Sequence, residues 1–434
     1  MLISLAMIVK NEEAALAHCL DSVKALADEI IIVDTGSTDK TIDIARGFGA
    51  QVYRFEWRDD FSAARNESLK YCKGDWVFIL DADEAVDPAD HAKIKDACQN
   101  PRADAYSLIT RTYTPTSVES SLDAGVGPNV SDYQEGGHLP FYADNTGLRL
   151  ARLFDGLAFK GRIHETLGQS LASHEKTIGA LGAVIHHYGK LHAGREEQKA
   201  QYYFTLARQE FDDDPASEQA QFNLLQQALV AKQWETAMEA ALAAMKIVPV
   251  PKPLVYYGMG LALQELERHG EAINYFDMLL WRNPSHPLAT LGKGVSAEAL
   301  GDVNGGRDLI NKAIELQPDY VPSRGRLAEL ELRANNLDAA REITLGALEI
   351  APNEPALYDL LMRIEATRNN RRQMVRDALL GIKMCPAGGE GRWHRLAAAY
   401  LCQAGQLDTA LAILDLGLKT FPGDAELMRL KDLI

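Results

Sequence analysis

Two carboxylates, Asp81 and Asp83, flank Ala82 at the end of the apolar run Trp76-Val77-Phe78-Ile79-Leu80. A short apolar run of this kind reads as a buried strand, so Asp81-Ala82-Asp83 is presented at the edge of a sheet. Ligands of open α/β sheets bind beyond the carboxyl ends of the strands. Hard divalent cations take carboxylate oxygens and keep coordination positions for phosphate. Asp-x-Asp in this place suggests a clamp for a metal ion and a diphosphate; the plainer alternative is a pair of turn or cap residues. Three further segments bring chemistry to the same rim. Ile8-Val9-Lys10-Asn11-Glu12 is where the first apolar run stops and its backbone is free to meet a ligand. Val33-Asp34-Thr35-Gly36-Ser37-Thr38-Asp39 is a strand end whose glycine permits a tight turn, and Asp34 there can accept hydrogen bonds from a base or a ribose. Ala63-Ala64-Arg65-Asn66 adds a cation. Taken singly, Asp34 also reads as a turn former, Ser37-Thr38-Asp39 as a cap and Arg65 as a solvated helix charge.

The elements that must position these residues alternate. Residues 2–9 form a strand, and Glu12 to Leu26 a helix with Leu16, Leu20, Val23 and Leu26 near helical spacing. Glu29 to Val33 is a second strand, followed by a helix from Thr38 to Phe48 capped by Ser37 or Thr38. Gln51 to Trp57 alternates, Phe61 to Cys72 is helical, and Trp76 to Leu80 delivers Asp81. Such alternation predicts a mostly parallel sheet with helices on both faces, an α/β domain. Residues 113–147, rich in Ser, Gly, Pro and Asp, break the pattern and read as a long functional loop.

Beyond residue 215 the pattern is all-α. Proline recurs at 249, 284, 318, 352, 386 and 422. Twelve residues before each stands Ala237, Ala272, Gly306, Ala340, Met374 and Ala410, small in every copy except Met374. Ala244, Ala313 and Ala347 repeat five residues before theirs. A period of 34 with small residues where helices touch is the tetratricopeptide pattern; the proline ends the second helix, and the repeats stack into a superhelix with a concave face.

The 434 residues accommodate two or three domains. A formal net charge of -16 argues against a nucleic-acid partner, whose phosphate backbone calls for clustered Lys and Arg. Cys19, Cys72, Cys98, Cys385 and Cys402 are scattered, which fits reduced thiols rather than a disulfide frame. The apolar run at 2–9 is too short for a signal peptide, and no stretch approaches the ~20 apolar residues of a membrane helix. The expectation is a cytoplasmic protein without an integral membrane segment.

Asn11-Glu12-Glu13, Val33-Asp34-Thr35-Gly36-Ser37-Thr38-Asp39, Ala64-Arg65-Asn66 and Leu80-Asp81-Ala82-Asp83-Glu84 together resemble the inverting family-2 glycosyltransferases of GT-A fold, over roughly residues 1–190. The branch of that family with a tetratricopeptide tail, which includes bacterial enzymes that glycosylate peptides, is an especially close match. The resemblance implies nucleotide-sugar binding by Ile8, Val9, Lys10, Glu12, Asp34, Arg65 and Asp81, with Asp34 and Arg65 on the base and Asp81 on the ribose or the metal. It implies Mn²⁺ or Mg²⁺ held by Asp83, helped by Asp81. Thr35 stands where many members have a second Asp, which bears on the usual preference for uracil. The family's catalytic base is an acidic residue downstream, and Phe159-Lys160-Gly161-Arg162-Ile163-His164-Glu165 lies at that distance. His164-Glu165 replaces the usual acidic pair, as in the tetratricopeptide branch, so Glu165 is the expected base, with His164 orienting it or touching the acceptor. A late histidine often completes the metal site; His187 matches it, although the doublet leaves His186 open. Arg149 and Arg152 read as structural, and Trp57 as core packing rather than a sugar platform.

The expected organisation is a GT-A domain over 1–194, a connecting helix over 195–216 with Tyr202, Tyr203, Leu206 and Phe211 on its apolar face, and a repeat domain over 217–434. The expected function is metal-dependent inverting transfer from a nucleotide sugar, UDP-linked, to a protein or peptide held by the repeats, with the loop at 113–147 as a gate. The alternatives are a polysaccharide or lipid-linked acceptor, and a scaffold whose transferase domain has decayed. Dimerisation through the array stands beside acceptor recruitment as its purpose.

Overall fold

The computed structural model describes residues 1–114, 127–129, 133, 135–136, 139, 141–189, 196–386 and 388–434. Backbone contacts separate two compact units, one ending at Met278 and one beginning at Leu279.

The first unit opens with β1 (Ile3–Val9), α1 (Leu16–Val23), β2 (Glu29–Asp34), α2 (Thr41–Gly47), β3 (Gln51–Arg54), α3 (Phe61–Leu69) and β4 (Trp76–Ile79). β1, β2 and β4 are almost wholly buried, as strands covered on both faces must be. α1 buries Leu16, Cys19, Leu20 and Val23, one stripe at helical spacing. α3 starts at Asp60, whose carboxylate accepts from the Ala63 N–H at 2.9 Å and satisfies an orphan donor of the first turn. α2 is shorter than expected, and neither Ser37 nor Thr38 caps it. Ser37 Oγ instead accepts the Asn11 N–H at 3.0 Å, which ties the end of β1 to the turn after β2.

β5 (Glu84–Val86), α4 (His91–Gln99), β6 (Ala105–Thr114), β7 (Gly127–Pro128), β8 (Phe141–Arg152), α5 (Gly168–Ser173) and β9 (Ile178–His187) complete the sheet. Its order is β3-β2-β1-β4-β8-β6-β9-β5, with β7 beside β8. The first four strands are parallel. Beyond β4 the sheet is mixed: β8 runs antiparallel to β4 and β6, whereas β9 is parallel to β6 and antiparallel to β5. Both ends of the supposed loop are strand among the described residues, because Tyr113 pairs with Tyr142 and Thr114 with Phe141. Polar side chains hid that pairing: Arg111 donates twice to the directly opposed Asp144 at 2.8 and 2.7 Å and lies over the Tyr142 ring. The proposed gate falls largely outside the described residues. One face of the sheet is packed by α1 and α4. The other carries Leu157, Phe159, Leu167 and Leu171 against Val77, Ile79 and Ala151, and so anchors the segment that leads to Glu165.

α6 (Glu196–Asp213), α7 (Glu218–Val230), α8 (Trp234–Ile247), α9 (Pro253–Glu265) and α10 (His269–Arg282) follow. The second unit carries α11 (Pro287–Ala299), α12 (Val303–Leu316), α13 (Val321–Arg333), α14 (Leu337–Ile350), α15 (Pro355–Thr367), α16 (Arg371–Met384), α17 (Arg392–Gln403), α18 (Leu407–Thr420) and α19 (Ala425–Asp432). α7 packs on α8 in the first unit, and α11 on α12, α13 on α14, α15 on α16 and α17 on α18 in the second, at the expected period. Ala237, Ala272, Ala340 and Ala410 are fully buried. A Cβ on Gly306 would stand 2.8 Å from the Gly294 carbonyl oxygen, so the small residue is what allows α11 and α12 to touch. Met374 is only half-buried; Val375 and Ala378 fill the core of that pair instead. A second set of prolines opens α9, α11, α13 and α15, where a missing N–H costs nothing. No described helix is long and apolar enough to cross a membrane.

Candidate active site

The ends of β1, β2 and β4 open onto a cavity of about 960 Å³, lined among others by Ile8, Val9, Lys10, Glu12, Thr35, Ile79 and Asp81-Ala82-Asp83. Arg65 of α3 is buried on its floor. Its Nη2 donates to Asp81 Oδ1 at 2.5 Å and its Nε to Glu165 Oε1 at 2.7 Å. Nη1 is buried and makes no hydrogen bond among the described residues. Burial disfavours the charges of this group, but the Arg65 and Arg149 guanidiniums outweigh it and hold Asp81 well below the usual carboxylate range. Asp81 is thus ion-paired through Oδ1, and Arg65 is shared between two carboxylates. Arg149, read as structural, reaches the cavity from β8, donates to the buried Glu84 at 2.7 Å and lies 3.8 Å from Asp81. Arg152 lies over the Trp76 ring and does not line the cavity.

Asp34, expected to contact the base, is engaged in its own turn. It is buried, does not line the cavity, and accepts the N–H groups of Gly36 at 3.2 Å and Ser37 at 3.1 Å. Those bonds stabilise the turn at Gly36, whose φ is +114°. The neighbouring Thr35 is the residue that reaches the cavity. Glu12 also lines the cavity, and burial, reinforced by Asp83, pushes its carboxyl up to about 7.

The histidine doublet divides along β9, because successive residues of a strand face opposite ways. His186 is stacked on Tyr133 and bonded to the Tyr113 hydroxyl at 2.8 Å; burial lowers it to about 4. His187 turns to the cavity with Nε2 3.3 Å from Asp83 Oδ2. Its Nδ1 lies 3.1 Å from the Thr112 hydroxyl, the outer hydrogen bond that orients ligating imidazoles. Burial opposes its charge, but the Asp83 carboxylate raises its pKa overall. A Cβ on Gly189 would collide with both Asp83 and His187, so glycine keeps this corner open. Among the described residues no three His, Cys, Asp or Glu side chains stand ready around one metal position. A carboxylate and an imidazole, completed by phosphate oxygens of a substrate, nevertheless fit Mn²⁺ or Mg²⁺.

Glu165 lies within a short loop closed by paired bonds between Lys160 and Thr166, at 3.0 and 2.9 Å. Arg65 orients its carboxylate. His164, expected to do so, bonds through Nε2 to the Gln227 amide at 2.8 Å instead, although its ring still lines the cavity. The remaining wall is aromatic. Trp57 Nε1 donates to the Tyr202 hydroxyl at 2.7 Å, Tyr202 donates to Asp59 at 2.5 Å, and Phe61 packs between Trp57 and Tyr203. Trp57 is therefore on the cavity and not in the core. Lys199, Tyr202 and Tyr203 come from α6. The reading by pattern took the tyrosines as mere packing; their spacing with Lys199 on one helix face was the available signal.

Comparison with known proteins bears on this geometry. Residues 4–146 match the family described as glycosyl transferase family 2, and residues 257–321 and 297–364 match tetratricopeptide repeat families. The chain carries a family-2 glycosyltransferase domain followed by tetratricopeptide repeats. A TPR repeat-containing protein of Synechococcus elongatus is 28% identical over 379 residues, covering 83% of this chain and 86% of that one. The SPbeta prophage-derived glycosyltransferase SunS of Bacillus subtilis is 32% identical over 165 residues, which is 38% of this chain and 34% of SunS. An uncharacterized glycosyltransferase of Rickettsia bellii is 42% identical over 84 residues, 19% of this chain and 28% of its own length. The chain thus spans about a third or less of the relatives named as glycosyltransferases. Arg149, Glu165 and His187 all lie beyond the residues matched to the glycosyltransferase family.

Proposed function

We propose that this glycosyltransferase is metal-dependent and inverting, and that it moves a sugar from a UDP-linked donor to a protein or peptide acceptor recruited by the repeats. The observation that carries the reading is one buried guanidinium, Arg65, joining Glu165 to Asp81 on the wall of a single cavity. Inversion needs one displacement at the anomeric carbon, with a base on the face opposite the leaving diphosphate. Glu165 takes the proton of the acceptor's nucleophilic atom. Arg65 holds Oε1, so that the carboxylate is aimed before the acceptor arrives. Asp83 and His187 would hold Mn²⁺ or Mg²⁺, which when bound supplies charge neutralisation for the departing diphosphate. Lys10 adds a cation on the same rim. Trp57, Phe61, Tyr202 and Tyr203 give the sugar and the acceptor an apolar wall that limits water. A groove of repeats is suited to an extended polypeptide, which favours a peptide over a glycan acceptor.

The test is nucleoside diphosphate release from a panel of nucleotide sugars with Mn²⁺, Mg²⁺ or chelator, beside Asp83→Ala and Glu165→Gln. Metal-dependent release from one donor, lost in Asp83→Ala, is expected. Glu165→Gln should bind the donor as well as wild type and lose transfer by about 10²-fold or more. Full transfer by Glu165→Gln would remove Glu165 as the base.

A further inference from the structure

The segment that carries Glu165 is held from two sides, and one of them is the repeat array. On the transferase side, Asn66 of α3 exchanges two hydrogen bonds with the Phe159 backbone, at 2.7 and 3.0 Å. Ser62 Oγ donates to the Gly161 carbonyl at 2.5 Å, and the Phe61 N–H donates to the Arg162 carbonyl at 3.0 Å. On the other side, Glu210 of α6 accepts the Arg162 N–H at 2.8 Å. Asn223 of α7 donates to the Ile163 carbonyl at 3.2 Å and to Glu210 Oε2 at 2.8 Å. Gln227, one turn further along α7, donates to His164 Nε2 at 2.8 Å, which leaves the ring proton on Nδ1. Every backbone unit from Gly161 to His164 is thus bonded directly or through its side chain.

That bonding opposes strain. Gly161 sits at φ +103° and His164 at φ +51°, the positive-φ region that is uncommon and mildly costly for a non-glycine residue. Asn223 is fully buried and Gln227 nearly so. Stacking of a helical repeat needs small and apolar residues there, not desolvated amides. Asn223 Oδ1 accepts from Gln219 and its Nδ2 is shared between Glu210 and the Ile163 carbonyl, while Gln227 Nε2 is directed at His164, so each residue turns an amide donor to the catalytic segment.

We infer that Asn223 and Gln227, on the first repeat helix, are positioning residues for the catalytic base: they lock residues 161–164 so that Glu165 meets both Arg65 and the acceptor. The inference rests on the assignment of Glu165 as the base. It makes the first repeat part of the catalytic machinery, in addition to any role in recruiting the acceptor.

The test uses the full chain with Asn223→Ala and Gln227→Ala, each made in wild type and in Glu165→Gln. UDP binding with Mn²⁺ is measured by calorimetry, turnover by UDP release from the UDP-sugar panel, and folding by thermal melting. Gln227→Ala, at the rim of the interface, serves if Asn223→Ala fails to fold. The expected result is UDP affinity within about twofold of wild type and kcat lower by about tenfold or more, as misplacement of a catalytic group produces. In the Glu165→Gln background the same changes should lower kcat no further, because residues that act through one group are not additive. Wild-type kcat in folded Gln227→Ala, or equal losses in both backgrounds, would overturn the inference. High activity of Glu165→Gln by itself would instead overturn the assignment of the base, so the two failures are distinct. If no donor is turned over, hydrogen exchange of residues 159–166 decides: unchanged protection in both variants would overturn the clamp.

Discussion

Replacing Arg65 by Met keeps the length and the apolar stem of the side chain and removes the charge that joins Asp81 to Glu165. The guanidinium side chain is 7% exposed, Glu165 14% and Asp81 40%. Breaking a buried ion pair leaves an uncompensated charge and typically costs 3–5 kcal/mol, and the exposure of Asp81 argues for the lower end, about 3 kcal/mol. A unit of this size shifts its melting point by roughly 2–4 °C per kcal/mol, so Arg65→Met should melt about 6–12 °C below wild type at pH 7. The pH dependence has a definite sign. Asp81 is held below the usual carboxylate range in the folded chain. Its contribution to stability is therefore complete above the unfolded value of about 4, and is lost as pH falls through the folded value. Arg65→Met lacks that contribution, so its deficit should be widest at neutral pH and narrow on acidification below about pH 4. Melting curves of both proteins, recorded by circular dichroism in steps from neutral to acid, give the answer. A melting point within about 2 °C of wild type at pH 7, or a deficit independent of pH, would refute the ion-pair reasoning.

Two further outcomes follow from the histidines and from Glu12. His187→Ala should weaken Mn²⁺ activation by about tenfold or more, whereas His186→Phe should leave the metal titration unchanged and cost about 1 kcal/mol through the lost Tyr113 bond; the opposite order in a Mn²⁺ titration would reverse the assignment. Glu12, with a pKa of about 7, is neutral on the acid side and charged above it, where it repels a diphosphate. Donor KM should therefore rise as pH climbs through 7, and Glu12→Gln should flatten that rise; an identical profile in the variant would exclude Glu12 as its cause.

Much of the molecule is legible along the chain because its determinants are local. Buried strands such as Trp76–Ile79 announce themselves by apolar runs, and the helix pairs by a 34-residue period that any close helix contact must repeat. The carboxylates at Asp81 and Asp83 and the end of β1 are found for the same reason: a strand end is a position in the sequence. What each side chain meets there is not. Asp34 could serve a turn or a nucleotide, and only the folded loop delivers the Gly36 and Ser37 N–H groups to it. His186 and His187 are equivalent by composition, and the pleat of β9 alone sends one to Asp83 and the other to Tyr133. Arg65 meets Glu165 across 100 residues, and His164 meets Gln227 across 63. The sequence by itself determined which elements form and which residues stand at their ends, because backbone propensity and apolar periodicity act over a few residues. Tertiary structure decided which charges neutralise one another and which face a ligand, because electrostatic and hydrogen-bond energies depend on distances between segments that no local pattern encodes.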